Sequence, residues 1–254
     1  MADFIKQKSL FINLFIGNKM RINKFLASSG LASRRKCEDF VLQGRVSVNG
    51  EVISNLAFDV SEKDKVCVDG TRIVLPNKYT YLMMHKPKGF LTTLSDDRER
   101  KTVMDLLPAD LKMLKPIGRL DYNSEGLLLF TNDGDVAQNV MRPAKQVVKT
   151  YSVKVEGEVS SLDVVQMEKG VETVAGEKFL PCKIKVQEIK DRKTKLEVQI
   201  TEGKNREIRK IFDTFGYNVI FLKRVAIGTI KLGGLTRGTC RLLKPSEIEY
   251  LKSL

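Results

Sequence analysis

Four consecutive apolar residues, Leu127-Leu128-Leu129-Phe130, stand between two groups of turn formers. Upstream is Gly118-Arg119-Leu120-Asp121-Tyr122-Asn123-Ser124-Glu125-Gly126; Thr131 and then Asn132-Asp133-Gly134 follow. A continuous apolar run entered from a polar loop reads as a buried strand. The loop that feeds it therefore lies at the edge of a core, where a rigid strand can position it. Asp121 follows Arg119 by two residues, and a nearby cation favours the ionised carboxylate. On spacing alone Asp121 is more often a turn-capping residue than a catalytic one.

Around this run, short alternating segments predict strands at residues 81–84, 127–131, 150–155, 196–201 and 219–222. Helices are expected at 164–169 and 206–215. Strands outnumber helices and do not alternate with them one for one, so the fold class is α+β rather than a doubly wound parallel sheet. Pro76-Asn77-Lys78 reads as a linker, leaving a larger domain at 79–254 and a smaller one at 20–75. In the smaller domain Ile22, Phe25 and Leu26 repeat at helical spacing up to Ser28-Ser29-Gly30. Ser33 is placed to cap a second helix carrying Cys37, Phe40 and Val41, stopped at Gly44. Val46 and Val48 then alternate into Asn49-Gly50, a type I′ hairpin signal. Residues 1–19 are unlike the rest. Their apolar stretch is short, is broken by Asn13 and is followed by no small-residue cleavage site, which argues against a signal peptide or a membrane span. A disordered or loosely helical extension is expected there, with Met20 as an alternative start.

The 254 residues carry 44 Lys and Arg against 31 Asp and Glu, a net charge of +13 that suits a polyanionic partner. The charge is concentrated in two places. Between Arg21 and Gly50, Arg21, Lys24, Arg34, Arg35, Lys36 and Arg45 face only Glu38 and Asp39. Arg34, Arg35 and Lys36 fall in the first turn of the second predicted helix, where the helix dipole disfavours cations unless an anion binds there as well. Between Gly203 and Lys244 ten basic residues face Glu207 and Asp213, and Arg206, Arg209 and Lys210 are spaced to share one helix face. A solvated basic face is the plain explanation; a nucleic-acid surface accounts better for the density. The four scattered cysteines and single histidine argue against a zinc site and fit a reducing cytoplasm. Phosphate-loop, nucleophile-elbow and metal motifs do not occur, and His85, at a strand-to-turn junction, reads as structural.

The run from Arg21 to Lys36, followed by Gly44-Arg45-Val46-Ser47-Val48-Asn49-Gly50, resembles the S4 RNA-binding domain. Gly118-Arg119-Leu120-Asp121 with the run from Gly126 to Gly134 resembles the signature of the RsuA-like branch of pseudouridine synthases. Lys86-Pro87-Lys88-Gly89, Lys149-Thr150-Tyr151 and the run from Glu202 to Lys210 agree with it in order. The resemblance implies a small S4-type domain followed by a catalytic domain built on a mixed or antiparallel sheet. It implies an isomerase that breaks the N1–C1′ bond of a uridine in ribosomal RNA, turns the base and rejoins it through C5. Asp121 would be the essential carboxylate, attacking or deprotonating the substrate. Tyr151 would lie against the base, and Arg209 would pair with Asp121, with Arg206 as the alternative. Arg21, Lys24, Arg34, Arg35, Lys36, Arg45, Arg119, Lys204, Arg206 and Lys210 would contact RNA. No metal or organic cofactor and no membrane is implied, and a cytoplasmic monomer is expected. The stretches Leu91-Thr92-Thr93-Leu94-Ser95-Asp96-Asp97 and Glu202 to Arg209 look most like synthases of the large ribosomal subunit; the alternatives are the same reaction on the small subunit, or a non-catalytic rRNA-binding assembly factor that keeps the synthase fold.

Overall fold

The computed structural model describes residues 19–61 and 63–254. The extension expected at residues 1–19 thus lies outside the described residues, apart from Lys19. The chain divides into two compact units, Met1–Tyr79 and Thr80–Leu254.

In the first unit, helices α1 (Ile22–Ser28) and α2 (Arg34–Leu42) follow the short strand β1 (Met20–Arg21). Ser33 caps α2 by accepting the Lys36 N–H. Strands β2 (Val46–Val48), β3 (Glu51–Ile53), β5 (Val66–Val68) and β6 (Thr71–Ile73) form a sheet of order β3-β2-β5-β6, while β4 (Asp59–Val60) pairs with β1. The β2–β3 turn places Asn49 at φ 53° and Gly50 at φ 94°, the two positive angles a type I′ turn requires. Ile22, Phe25, Leu26, Cys37 and Val41 from the helices close on Val46, Val48, Ile53, Val60, Val66 and Val68 as one core.

The second unit is a nine-stranded mixed sheet of order β13-β14-β10-β15-β9-β7-β17, with β16 on β15 and β8 on β9. Its strands are β7 (Tyr81–Lys86), β8 (Lys115–Ile117), β9 (Glu125–Thr131), β10 (Lys149–Glu156), β13 (Lys183–Lys190), β14 (Lys193–Ile200), β15 (Val219–Ile227), β16 (Ile230–Lys231) and β17 (Cys240–Leu242). The small ribbon β11 (Val171–Glu172) and β12 (Lys178–Phe179) stands apart. Helices α3 (Gly134–Met141), α4 (Ser161–Glu168), α5 (Glu207–Thr214) and α6 (Pro245–Ser253) complete the unit.

The apolar run forms the middle of β9, and every residue of that strand is buried. Burial of each large side chain from Leu127 to Phe130 contributes about 1.5–3 kcal/mol. β9 and β15 make the sheet's one parallel pairing, through Lys223↔Glu125 and Arg224↔Gly126 alone. Two antiparallel halves therefore meet over a contact two residues long, and the loop bearing Asp121 enters β9 at that junction.

Several expected bounds shift: the strand expected at 196–201 runs Lys193–Ile200, the helix expected at 164–169 runs Ser161–Glu168, and the strands expected at 81–84, 127–131 and 150–155 extend to Tyr81–Lys86, Glu125–Thr131 and Lys149–Glu156. The strand expected at 219–222 continues to Ile227, because Leu222, Arg224, Ala226 and Ile227 are all buried. The helix expected from residue 206 begins at Glu207, because Arg206 takes a left-handed conformation (φ 54°) at the N-cap. Arg206 thus leaves the helix face it was expected to share with Arg209 and Lys210.

Candidate active site

The loop at residues 118–124 is held by its backbone. Lys86, at the end of β7 and fully buried, donates all three ammonium protons to the carbonyls of Pro87 (3.1 Å), Asp121 (3.0 Å) and Ser124 (2.9 Å). The Gly89 N–H donates to Tyr122 O at 2.9 Å. The Thr92 hydroxyl donates to Leu120 O at 2.8 Å and accepts from Leu120 N at 3.3 Å. Leu120 itself is anchored in the core. Burial lowers the Lys86 pKa to about 8 and Arg224 adds to the shift, while Asp121 and Glu125 oppose it.

This clamp leaves the Asp121 carboxylate partly exposed, 3.9 Å from Arg209 Nε. That separation is an ion pair without a hydrogen bond. Arg209 projects from α5 and is fixed by Nη1 to Val219 O (2.8 Å) and Nη2 to Asn123 O (3.3 Å), so one guanidinium ties α5, β15 and the Asp121 loop together. Burial first, then Arg206, lowers its pKa, and Asp121 opposes the shift.

A cleft of about 1040 Å³ opens beside the carboxylate. Asp121, Tyr151, Lys149, Arg224, Arg206 and Arg119 are among its lining residues. Tyr151 lies on β10, is 7% exposed and stands in register with Arg224 of β15. Arg119 and Arg206 are exposed. The other expected RNA contacts in this unit have partners within the protein: Lys204 reaches Glu202 at 3.1 Å, and Lys210 reaches Glu177 at 2.6 Å. In the first unit Arg34 and Arg35 are exposed on α2, and Lys36 lies 3.7 Å from Asp39. Arg21 pairs with Asp59 (3.2 Å) and Lys24 lies on α1. Arg45 bonds Asp69 through Nε (3.0 Å) and stacks on Phe40.

Lys86, Lys149, Glu207 and Arg224 were not singled out as site residues by sequence. A signal existed for Arg224, which falls in the apolar phase of β15 between Leu222 and Ala226. Glu207 is buried against the cleft and accepts the Lys204 N–H at 2.8 Å. Burial raises its pKa to about 7; Glu202 adds to the shift, and the Lys204 N–H, Lys204 and Lys149 oppose it. The folded protein therefore holds this proton more tightly than the unfolded chain, whose value is near 4.5. The stability linked to the bound proton is present below pH 4.5 and is lost as pH rises towards 7. Glu207→Gln, which does not ionise, is expected to gain stability relative to the parent over that window. Urea midpoints of both proteins at pH 5 and pH 8 check this; an equal difference at the two pH values rules it out. Among the described residues no group of three or more His, Cys, Asp or Glu is arranged to hold a metal ion, and no helix is long and apolar enough to cross a membrane.

The RNA pseudouridylate synthase family model matches residues 80–214 and the S4 domain model matches residues 20–66. The chain belongs to the RNA pseudouridylate synthase family, as an S4-bearing member of the RsuA-like type, and is an isomerase acting on RNA. An RNA pseudouridine synthase of Aquifex aeolicus is 41% identical over 92% of this chain and 94% of its own length. Ribosomal large subunit pseudouridine synthase B of Bacillus subtilis is 37% identical over 92% of this chain and 96% of its own. Among solved structures, a pseudouridylate synthase crystal structure aligns with a TM-score of 0.67 at 27% identity, covering 91% of this chain and 99% of that one.

Proposed function

We propose that this isomerase converts one uridine of large-subunit ribosomal RNA to pseudouridine, working as a cytoplasmic monomer, with Asp121 as its catalytic carboxylate. The observation that carries the reading is one cleft into which Asp121 and Tyr151 both project, with Arg209 3.9 Å from the carboxylate. The target uridine leaves its stack and enters the cleft, where Tyr151 lies against the base. Asp121 meets the nucleotide as a carboxylate paired with Arg209 and positioned by the Lys86 clamp on its loop. Arg119 and Arg206, exposed at the cleft, grip the flanking phosphates, and Lys204 and Lys210 extend that surface. Arg34, Arg35 and Lys36 at the start of α2, together with Arg21, Lys24 and Arg45, form the RNA-binding face of the S4 domain. The ribosomal substrate is supported by the Bacillus subtilis relative, named for the large subunit.

Mapping pseudouridines in ribosomal RNA from cells with and without the gene tests the substrate. Loss of one large-subunit site is expected. Loss of a small-subunit site, or of none, overturns that assignment.

A further inference from the structure

Arg224 is placed where all the pairings of the site converge. Its backbone pairs with Gly126 on one side and Tyr151 on the other. The pairing of β10 with β15 is irregular there: Thr150 faces Ala226 while Tyr151 faces Arg224, which leaves Val225 as an extra residue. Such bulges occur beside active sites, where they re-aim a side chain. The Arg224 side chain is 4% exposed, and its Nε donates to Leu127 O at 2.8 Å. Its Nη2 is buried with no hydrogen-bond partner. Leaving a buried charged donor unmatched is costly, and an aliphatic residue in phase with Leu222 and Ala226 would avoid that cost. The neighbouring cations are differently placed. Lys86 is spent on three carbonyls, Lys149 on those of Val147 (3.1 Å) and Thr201 (3.2 Å), and the unbonded Arg209 Nε faces Asp121.

We propose that Arg224 donates this unused N–H to a carbonyl oxygen of the target uracil and holds the negative charge that gathers there during isomerisation. The inference rests on the assignment of the Asp121 cleft as the active site. When the N1–C1′ bond breaks, its electron pair stays with the uracil and spreads over N1 and the carbonyl oxygens. The C5–C1′ bond then forms, C5 loses its proton and N1 gains one, so no atom or electron is lost or added. A preorganised donor aimed at the oxygen where charge develops lowers the barrier of such a step. The uracil is favoured over a phosphate because Arg224 sits in register with Tyr151 and is buried, whereas the exposed Arg119 and Arg206 suit a backbone that stays near solvent.

The test measures single-turnover conversion of an rRNA fragment containing the mapped uridine, unmodified or with sulfur replacing O2 or O4 of that uridine. A third arm places a phosphorothioate beside it. With the parent enzyme, sulfur at one carbonyl is expected to slow the reaction at least tenfold. Arg224→Gln is expected to slow the oxygen substrate by about 100-fold, with RNA affinity within about threefold, and to abolish the sulfur penalty. Arg224→Lys, which keeps a cation in case Gln unfolds the strand, should retain part of both effects. An equal sulfur penalty in parent and variants, no penalty at either carbonyl, or coupling to the phosphorothioate alone overturns the proposal. An active Asp121→Asn would instead overturn the site assignment, so the two failures are separable.

Discussion

Asp121→Asn is expected to reduce isomerisation by about 10⁴-fold or more, to the limit of a tritium-release assay on RNA labelled at uridine C5. The substitution keeps the size and shape of the side chain and removes only its charge and basicity. Folding should be nearly unaffected, within about 0.5 kcal/mol, because the loop is held through main-chain groups rather than through this carboxylate. Lys86 holds the carbonyls of residues 121 and 124, Gly89 that of Tyr122, and Arg209 that of Asn123. RNA affinity should also persist, since the cations assigned to the phosphates are untouched. A variant that still releases tritium at a rate near the parent's would remove Asp121 from the chemistry. A variant that is inactive because it is unfolded would show a lowered melting transition, and none is expected.

The residues that could be read from sequence are those whose reasons are local. Ser33 caps α2, Asn49-Gly50 turns the hairpin and the apolar run is a buried strand, because each rule involves neighbours within a few positions. Elements without such a signal were missed. β13 is an edge strand, mostly exposed, so Lys183–Lys190 lacks a full apolar face. α3 begins at Asn132-Asp133-Gly134, which reads as a turn; the Asp133 side chain accepts the N–H groups of Asp135 and Val136 and starts a helix instead. The site divides in the same way. Asp121, Tyr151 and Arg209 came from the order of motifs rather than from spacing, whereas the positions of Lys86 and Arg224 depend on which strands become neighbours. The Arg224 Nε meets the carbonyl of Leu127 across 97 residues of chain. Nothing in either segment announces that β9 and β15 will lie side by side and parallel.

That junction also gives the largest expected loss of stability. Gly126 has φ +114°, and a Cβ there would stand 2.2 Å from Arg224 O, 2.6 Å from its N and 2.9 Å from its C. Side-chain rotation cannot relieve the overlap, because all three atoms are main chain in the neighbouring strand. Gly126→Ala must therefore part β9 from β15 where their pairing is only two residues long, and must also hold alanine at a backbone angle it resists. A cost of about 3–5 kcal/mol is expected, lowering the melting transition of the catalytic unit by on the order of 10 °C. Activity should fall along with stability, because the Asp121 loop and Arg224 meet at this contact. Gly134→Ala is the matched control: it lies in α3 with nothing within 4 Å of its Cβ, and should leave the transition unchanged or slightly raised. Calorimetry of both variants decides the point. If Gly126→Ala melts with the control, the β9–β15 approach is looser than the 2.2 Å overlap requires, and the rigid junction that would aim Arg224 at the substrate is lost with it.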